Sequence, residues 1–313
     1  MARYLGLDTS NYTTSVAAFE AETGALWQVK QLLPVKDGEL GLRQSDAVFH
    51  HVRQLPELFE RLVGEAGDLS AVAAVGVSDR PSQAEGSYMP CFLSGEGAAR
   101  QIAALLGVPL YRFSHQQGHV MAALYGADAL SLRTAPFLAF HVSGGTTDAL
   151  LVEPDADTVI RCKRVAGSLD LKAGQLIDRV GGMLGLPFPA GPALEKLAQP
   201  IEGKLPRPSM DGTSCHLSGV ENQCRKLLES GASHAEVARF CLLSVRAAVT
   251  AMTERLLAEY GELPVVYAGG VMSNAHLREV FEKQFGGRFA PPVYSADNAV
   301  GIAVLTALKA EGE

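Results

Sequence analysis

The order of apolar and polar positions divides the chain into short strands and longer helices joined by small-residue turns. Residues 4–7 (YLGL) form a continuous apolar run, which predicts a buried strand. A polar turn follows at Asp8, Thr9, Ser10, Asn11 and Tyr12. Residues 13–19 then read as the returning strand of a hairpin, with a third strand at 26–33. The period changes over 50–65, where Val52, Leu55, Leu58, Phe59 and Leu62 recur at helical spacing. A β-rich run at 71–77 ends in a loop at 78–81. The small-residue stretch 95–106 is predicted helical, and 108–111 is a further strand.

The opening pattern then recurs. Residues 136–142 predict a strand, Ser143-Gly144-Gly145 a turn, and 146–152 a returning strand. Side by side, YLGLDTSNYTTSVAAF and FLAFHVSGGTTDALLV share an apolar strand, a small polar turn, a Thr-Thr pair and a second apolar strand. This points to an internal duplication at the scale of a domain. The expected division is 1–134 and 135–313, with the last helix packing back on the first domain. Downstream, helices are predicted at 168–186, 193–198, 220–229, 235–260, 275–285 and 299–309, and a strand at 264–267. The Pro- and Gly-rich stretch 199–214 reads as a surface excursion.

Candidate chemistry is concentrated in HQQGH. His115 and His119 lie four residues apart in a run that continues as a helix, so both rings can face one cation. No Glu adjoins His115, so this is not the zinc-protease helix, whose Glu is the general base. A two-histidine site needs an oxygen donor to hold a catalytic divalent ion with open positions. Asp297, in a loop that opens the last helix, is the candidate third ligand; a first-turn capping carboxylate is the plainer reading of that residue. In Ser143-Gly144-Gly145-Thr146-Thr147 the glycines let backbone N–H groups approach an anion. Ala268-Gly269-Gly270 with Ser273-Asn274 ends a strand at a helix N-terminus, a natural place for adenosine or phosphate. Neither matches the P-loop or the dinucleotide fingerprint. Asp8 puts a carboxylate at a strand end, and Asp178 lies at the polar edge of its helix, where ribose hydroxyls or plain solvent are its alternative partners. His141, His216 and the pair His50-His51 have no comparable partner spacing and read as structural or surface residues.

Composition narrows the function classes. The 313 residues suffice for two domains, and 47% hydrophobic with 19% charged residues is ordinary for a globular protein. A formal net charge of −7 excludes a general nucleic-acid binder; an RNA face, if present, is local or belongs to a partner. The basic clusters Arg161, Lys163, Arg164 and Arg225, Lys226 are too small to identify one. The five cysteines form no CxxC pair, which argues against a disulfide framework and fits a reducing cytosol. The N-terminal residues reach Asp8 too soon for a signal peptide, and no apolar run is long enough to span a bilayer, so a cytoplasmic protein without a membrane partner is expected.

These segments, taken together, resemble the tRNA threonylcarbamoyladenosine synthase family (TsaD, formerly glycoprotease). The resemblance is collinear over nearly the whole chain, through LGLDTSNYTTSVA, HQQGH, HVSGGTTDALL, AGQLIDRVGGMLGLPFPAGPALEKLA, LSGV, AGGVMSNAHLRE and SADNAVGIA. It implies an α/β fold of the actin-like ATPase type shared with sugar kinases, Hsp70 and actin: two duplicated ribonuclease-H-like domains with a nucleotide cleft between them. It implies one iron or zinc ion on His115, His119 and Asp297, with magnesium accompanying a nucleotide. It places threonylcarbamoyl adenylate, or another adenine nucleotide, on His141, Val142, Ser143, Gly144, Gly145, Asp178, Gly191 and Asn274, with Asp8 and Ser10 as further candidates. The implied reaction is transfer of the threonylcarbamoyl group to the exocyclic amine of the tRNA adenosine 3′ of the anticodon, with TsaB-like and TsaE-like subunits as partners.

The chain also departs from the family pattern. The acidic pair of ETSCDET is replaced by Tyr12 and Thr13, so only Asp8 is acidic there. The GPG-rich loop after the third strand is replaced by residues 78–88. SGGHT is SGGTT, with Thr146 for the histidine; the Glu of AGEAFDK is Gln175; the first Gly of PGGP is Ala190. These departures keep a second class open, a non-catalytic or altered-substrate nucleotide-binding paralogue. A metallopeptidase, as the older family name implies, lacks its glutamate here.

Overall fold

The computed structural model describes residues 2–10, 12–34 and 42–312; Asn11, part of the expected first turn, lies outside them. The chain forms two compact units. One comprises Met1–Ala135, Val152–Lys163 and Val293–Glu313, the other Pro136–Leu151 and Arg164–Pro292.

The first unit begins with β1 (Arg3–Ser10), β2 (Thr13–Glu20) and β3 (Ala25–Leu32), an antiparallel meander. Helix α1 (Gln44–Ala66) leads to β4 (Val72–Arg80), which lies parallel to β1. Helix α2 (Phe92–Leu106) leads to β5 (Leu110–Ser114), parallel to β4, and α3 (His115–Gly126) follows at once. The sheet order is β3-β2-β1-β4-β5. β1 is central, which explains its continuous apolar run: both of its faces are covered. Leu5 and Leu7 of β1 join Val16, Val75 and Val77 in a core closed by Leu55, Leu58 and Leu62 of α1 and Ala99 and Ala103 of α2. Val52, expected on the same stripe of α1, is instead 58% exposed.

The chain continues with β6 (Phe137–Val142), β7 (Thr147–Asp155) and β8 (Val159–Gly167), of which the stretch Val152–Lys163 is grouped with the first unit and the rest with the second, then α4 (Ala173–Met183) and α5 (Gly191–Leu197). A small antiparallel hairpin, β9 (Ser209–Asp211) and β10 (Ser214–His216), precedes α6 (Ser218–Glu229) and α7 (His234–Tyr260). Next come β11 (Val265–Ala268), α8 (Ala275–Phe285) and β12 (Arg288–Phe289). The sheet order is β12-β11-β6-β7-β8, with β6, β11 and β12 parallel. Strands β6, β7, β8, β11 and β12 thus repeat the plan of β1 to β5, the duplication expected from the paired hairpins. Tyr267 of β11 stacks between Phe140, Phe281 and Phe289 at the centre of this unit's core.

The short elements β9, β10 and β12 lie where the pattern predicts none, and two larger differences stand beside them. β8 runs where the pattern predicts none, because Arg161, Lys163 and Arg164 dilute its apolar positions. The helix expected from Ser168 begins only at Ala173. Residues 168–172 form a turn instead, in which Ser168 Oγ donates to the Leu171 carbonyl (2.6 Å) and Asp170 accepts from the Leu171 amide (2.6 Å).

The chain ends with a single turn, α9 (Pro292–Ser295), and α10 (Val300–Glu311). Every residue of α10 from Val300 to Leu308 is buried, as expected of a helix apolar on all sides. It lies directly on the first unit's sheet. A side chain at Gly6 of β1 would strike the backbone of Ala299 and Ala303, and one at Gly76 of β4 would strike Thr306.

Candidate functional site

The histidine helix starts abruptly after β5. Ser114 caps it: its Oγ accepts from the Gln117 amide (3.2 Å) while Gln117 Oε1 accepts from the Ser114 amide (2.8 Å), a reciprocal capping box. His115 is therefore the first helical residue, and His119 lies one turn further on the same face. Between them, Gly118 brings α3 against α10. A side chain at Gly301 would fall on the Gly118 carbonyl, and one at Gly118 would touch Ile302 at 3.0 Å. This close helix contact brings the start of α10, and the loop before it, up to the histidines.

That loop is fixed by its own polar groups. Asn298 Nδ2 donates to the Ala296 carbonyl (2.6 Å), its Oδ1 accepts from the Val300 amide (3.0 Å), and Ser15 Oγ accepts from the Ala299 amide (2.8 Å). Asp297 is carried between these anchors. Thr13 Oγ1 donates to its Oδ2 (3.5 Å), and Lys30 Nζ donates to its backbone carbonyl (3.3 Å).

The result is a triangle of ligand atoms. His115 Nε2 and His119 Nε2 are 2.9 Å apart, and Asp297 Oδ1 lies 3.2 Å from His119 Nε2 and 3.6 Å from His115 Nε2. Ligand atoms about 2.0–2.1 Å from a tetrahedral ion stand about 3.3–3.4 Å from one another. The donor set of two imidazole nitrogens and one carboxylate oxygen, closing on one point from one side, fits a divalent ion with open positions. On the far side of the His115 ring, Nδ1 donates to Asp8 Oδ1 (2.9 Å). Burial alone would push His115 down. The Asp8 charge, the bonds to Asp297 and Asp8 and the Asp297 charge reverse this and raise it to about 10. Burial opposes ionisation of Asp297, but its bonds to both histidines and their charge hold it well below the usual carboxylate range. The pocket thus attracts positive charge, whether a proton or a metal ion. Burial lowers Lys30, with the Asp297 charge opposing that shift.

The other candidate residues lie in the second unit, apart from Asp8 and Ser10, which are buried in the first. His141 and Val142 end β6, and His141 pairs with Ala268 at the end of β11. The turn 143–146 closes through Ser143 N to Thr146 O (2.7 Å) and Thr146 N to Ser143 Oγ (3.2 Å). The start of α4 packs on it so closely that a side chain at Gly174 would meet the Gly144 backbone at 2.6 Å. Added carbons at Gly144 and Gly145 would meet no protein atom within 4 Å, so packing does not require these glycines. Gly269 is different: its φ is +100° and a side chain would strike the Val142 carbonyl, so the close approach of β11 to β6 demands glycine. Asp178 Oδ1 accepts from the Ala190 amide (2.8 Å), which pins the loop before Gly191 and α5. Asn274 caps α8 through Oδ1 and the Leu277 amide (3.0 Å). His141 to Gly145 and the Gly269–Asn274 turn therefore follow adjacent parallel strands, while Asp178 and Gly191 belong to the α4–α5 connection.

A family model for TsaD, described as tRNA N6-adenosine threonylcarbamoyltransferase, matches residues 40–304. The chain belongs to the TsaD family. Relatives include the tRNA N6-adenosine threonylcarbamoyltransferase of Rhodospirillum rubrum, 31% identical over 96% of this chain and 88% of the relative. That of Methanopyrus kandleri is 30% identical over 84% of this chain and 75% of the relative. This TsaD family member has the actin-like ATPase fold. Full-length HypF in its phosphate- and nucleotide-bound form superposes with a TM-score of 0.60 at 13% identity, over 98% of this chain and 55% of HypF. The ROK hexokinase of Thermus thermophilus does so with 0.52 at 17% identity, over 99% and 100%. No helix among the described residues is long and apolar enough to cross a membrane.

The positions where this TsaD family member departs from the sequence pattern have defined places. Thr13, in place of an acid, bonds the Asp297 carboxylate, and Tyr12 is 43% exposed. Ser78 bonds Asp8, while Asp79 pairs with Arg80 (3.1 Å). Gln175 Oε1 accepts from the Lys172 amide (3.4 Å). The basic clusters are largely neutralised: Arg161 pairs with Asp155, Arg164 with Asp148 and Arg225 with Glu221. Asp8 as a partner of His115, and Thr13, Lys30, Ser15 and Asn298 as anchors of Asp297 and its loop, were not legible in the sequence. Gly118, inside HQQGH, and Gly301, four residues after Asp297, were the signals available for the helix contact.

Proposed function

We propose that this chain transfers a threonylcarbamoyl group from threonylcarbamoyl adenylate to the exocyclic amine of the tRNA adenosine 3′ of the anticodon, using one iron or zinc ion held by His115, His119 and Asp297. The observation that carries the reading is the convergence of those three ligand atoms, all within 4.8 Å of one another. Polarising the carbamoyl carbonyl is the chemistry such an ion supplies. In the reaction a C–N bond forms at that carbonyl, the C–O bond to the phosphate breaks, AMP leaves with the bonding pair, and the proton lost by the amine is released to solvent.

The chain's own groups have separate tasks in this reading. The backbone amides at Ser143, Gly144 and Gly145, beside the start of α4, offer donors to an adenylate phosphate, with His141 and Val142 leading into the turn. Asp178, Gly191 and Asn274 complete the adenylate contacts. Magnesium accompanies a free nucleotide, and TsaB-like and TsaE-like subunits are the proposed partners in the cytoplasm. Positioning and charge stabilisation account for most of the barrier reduction.

The second reading is a non-catalytic or altered-substrate nucleotide-binding paralogue, and Thr13 beside Asp297 favours it, since a neutral hydroxyl stands there in place of the acid of the family pattern. The test is a transfer assay with purified protein, threonylcarbamoyl adenylate and unmodified tRNA, with and without the partner subunits, reading the nucleoside by mass. Modified adenosine that vanishes on chelation supports the first reading. Bound metal and bound nucleotide without product support the second.

A further inference from the structure

Asp8 lies near the end of β1 and is wholly buried. Its Oδ1 accepts two hydrogen bonds, from Ser78 Oγ on β4 (2.5 Å) and from His115 Nδ1 (2.9 Å). Its Oδ2 has no hydrogen-bond partner among the described residues. A buried carboxylate with one idle oxygen is costly unless positive charge stands opposite it. The group opposite is the His115 ring, whose other nitrogen is one corner of the ligand triangle. An ionised carboxylate only accepts, so this bond puts the ring hydrogen on Nδ1. A neutral ring with hydrogen on Nδ1 carries its lone pair on Nε2.

We propose that Asp8 is the positioning residue of this centre, holding His115 in the Nδ1–H tautomer and fixing its ring plane so that Nε2 is presented to a divalent cation; the inference rests on the metal reading above. Ser78 aims the carboxylate by bonding the same oxygen. A cation at Nε2 would displace the second ring proton, which the Asp8 and Asp297 charges otherwise favour, and would take over the positive charge opposite the buried carboxylate. Carboxylate–histidine–metal relays of this kind raise ligand basicity, and losing the outer carboxylate weakens metal affinity about 10–100-fold. Asp8 is thereby a support for the metal ligands rather than a contact for nucleotide.

The test uses zinc as the probe, titrated against a chromophoric chelator, with the full chain and the variants Asp8→Asn, Asp8→Ala and Ser78→Ala. Long-range ¹H–¹⁵N spectra report the His115 tautomer in zinc-loaded wild type, a signature that a merely structural role would not set. The expected result is hydrogen on Nδ1 and zinc on Nε2 in wild type, about 10–100-fold weaker zinc binding in Asp8→Asn with an unchanged far-UV spectrum, and a smaller loss in Ser78→Ala. If the Asp8 variants do not fold, the wild-type tautomer and Ser78→Ala decide the question. Zinc on Nδ1, or Asp8→Asn binding zinc within twofold of wild type, overturns the role of Asp8 while leaving the metal centre standing. Wild type that takes up no zinc overturns the metal reading and this inference together.

Discussion

Gly118 and Gly301 meet backbone to backbone where α3 packs on α10, and there is no room at Gly301 for a methyl group. That contact, together with the Asn298 and Ser15 bonds that fix the loop, brings Asp297 to the two histidines. Gly301→Ala is expected to lose about 1–3 kcal/mol of stability, the usual result of overpacking. It also weakens metal binding by moving the loop that carries Asp297. Gly118→Ala is expected to be milder, since its neighbour is the flexible end of Ile302. Thermal melts and zinc titrations on both variants check the order; equal effects would mean that the backbone contact is not what limits the approach.

Removing one ligand should empty the centre without unfolding the unit. His119→Ala and Asp297→Asn are each expected to reduce bound metal from one equivalent to a small fraction, measured by elemental analysis after dialysis. The far-UV spectrum should be retained, because α3 keeps its Ser114 cap and both α3 and α10 keep their apolar contacts. Metal retained at one equivalent in both variants would mean that the ion sits elsewhere.

Asp170, whose Oδ2 lies 3.4 Å from His216 Nδ1, makes a pH prediction that does not involve His115 or His119. Burial opposes its ionisation, but bonds from Ser218 Oγ and the Leu217, Leu171 and Ser218 amides hold its carboxyl below the usual range. A group whose folded value lies below its unfolded value of about 3.9 adds stability above that value and loses it as the pH falls further. Asp170→Asn is therefore expected to lower stability by about 1–2 kcal/mol near pH 7, with the difference from wild type shrinking below about pH 4. Melting curves at several pH values test this; a difference constant down to pH 3 would contradict it.

Tyr267 carries the one hydroxyl in the aromatic stack of the second unit, and it shares a hydrogen bond with Thr253 Oγ1 (3.0 Å). Thr253 also donates to the Val249 carbonyl (2.9 Å), so removing the phenol hydroxyl leaves the threonine bonded. Tyr267→Phe is expected to cost only about 0.5–1.5 kcal/mol, against about 3–5 kcal/mol for Tyr267→Ala, which also empties the stack. Chemical denaturation of both variants gives the comparison.

Much of this was legible in the sequence. The paired hairpins announced the duplicated sheets because a buried central strand and its returning neighbour impose the same apolar run wherever they occur. The histidine pair announced a common face because helical spacing is local. Asp297 could be nominated only by chemistry, since nothing local distinguishes a ligand from a first-turn carboxylate. β8 escaped because its outward basic residues break the apolar run, and the true start of α4 escaped because the Asp170 turn imitates a helical beginning. Asp8 was visible as a carboxylate at a strand end, but its partner lies 107 residues away. Such long-range pairing follows from sheet order, which the pattern of one strand does not contain.

The return of α10 to the first unit has a consequence for synthesis. A chain emerging from the ribosome makes β1 to α3 early and then the whole second unit before residues 293–313 of the first unit appear. Until then the sheet face at Gly6 and Gly76 lacks its covering helix, and the two histidines lack their carboxylate. The first unit therefore closes last, and its three candidate ligands come together only once Asp297 has been made.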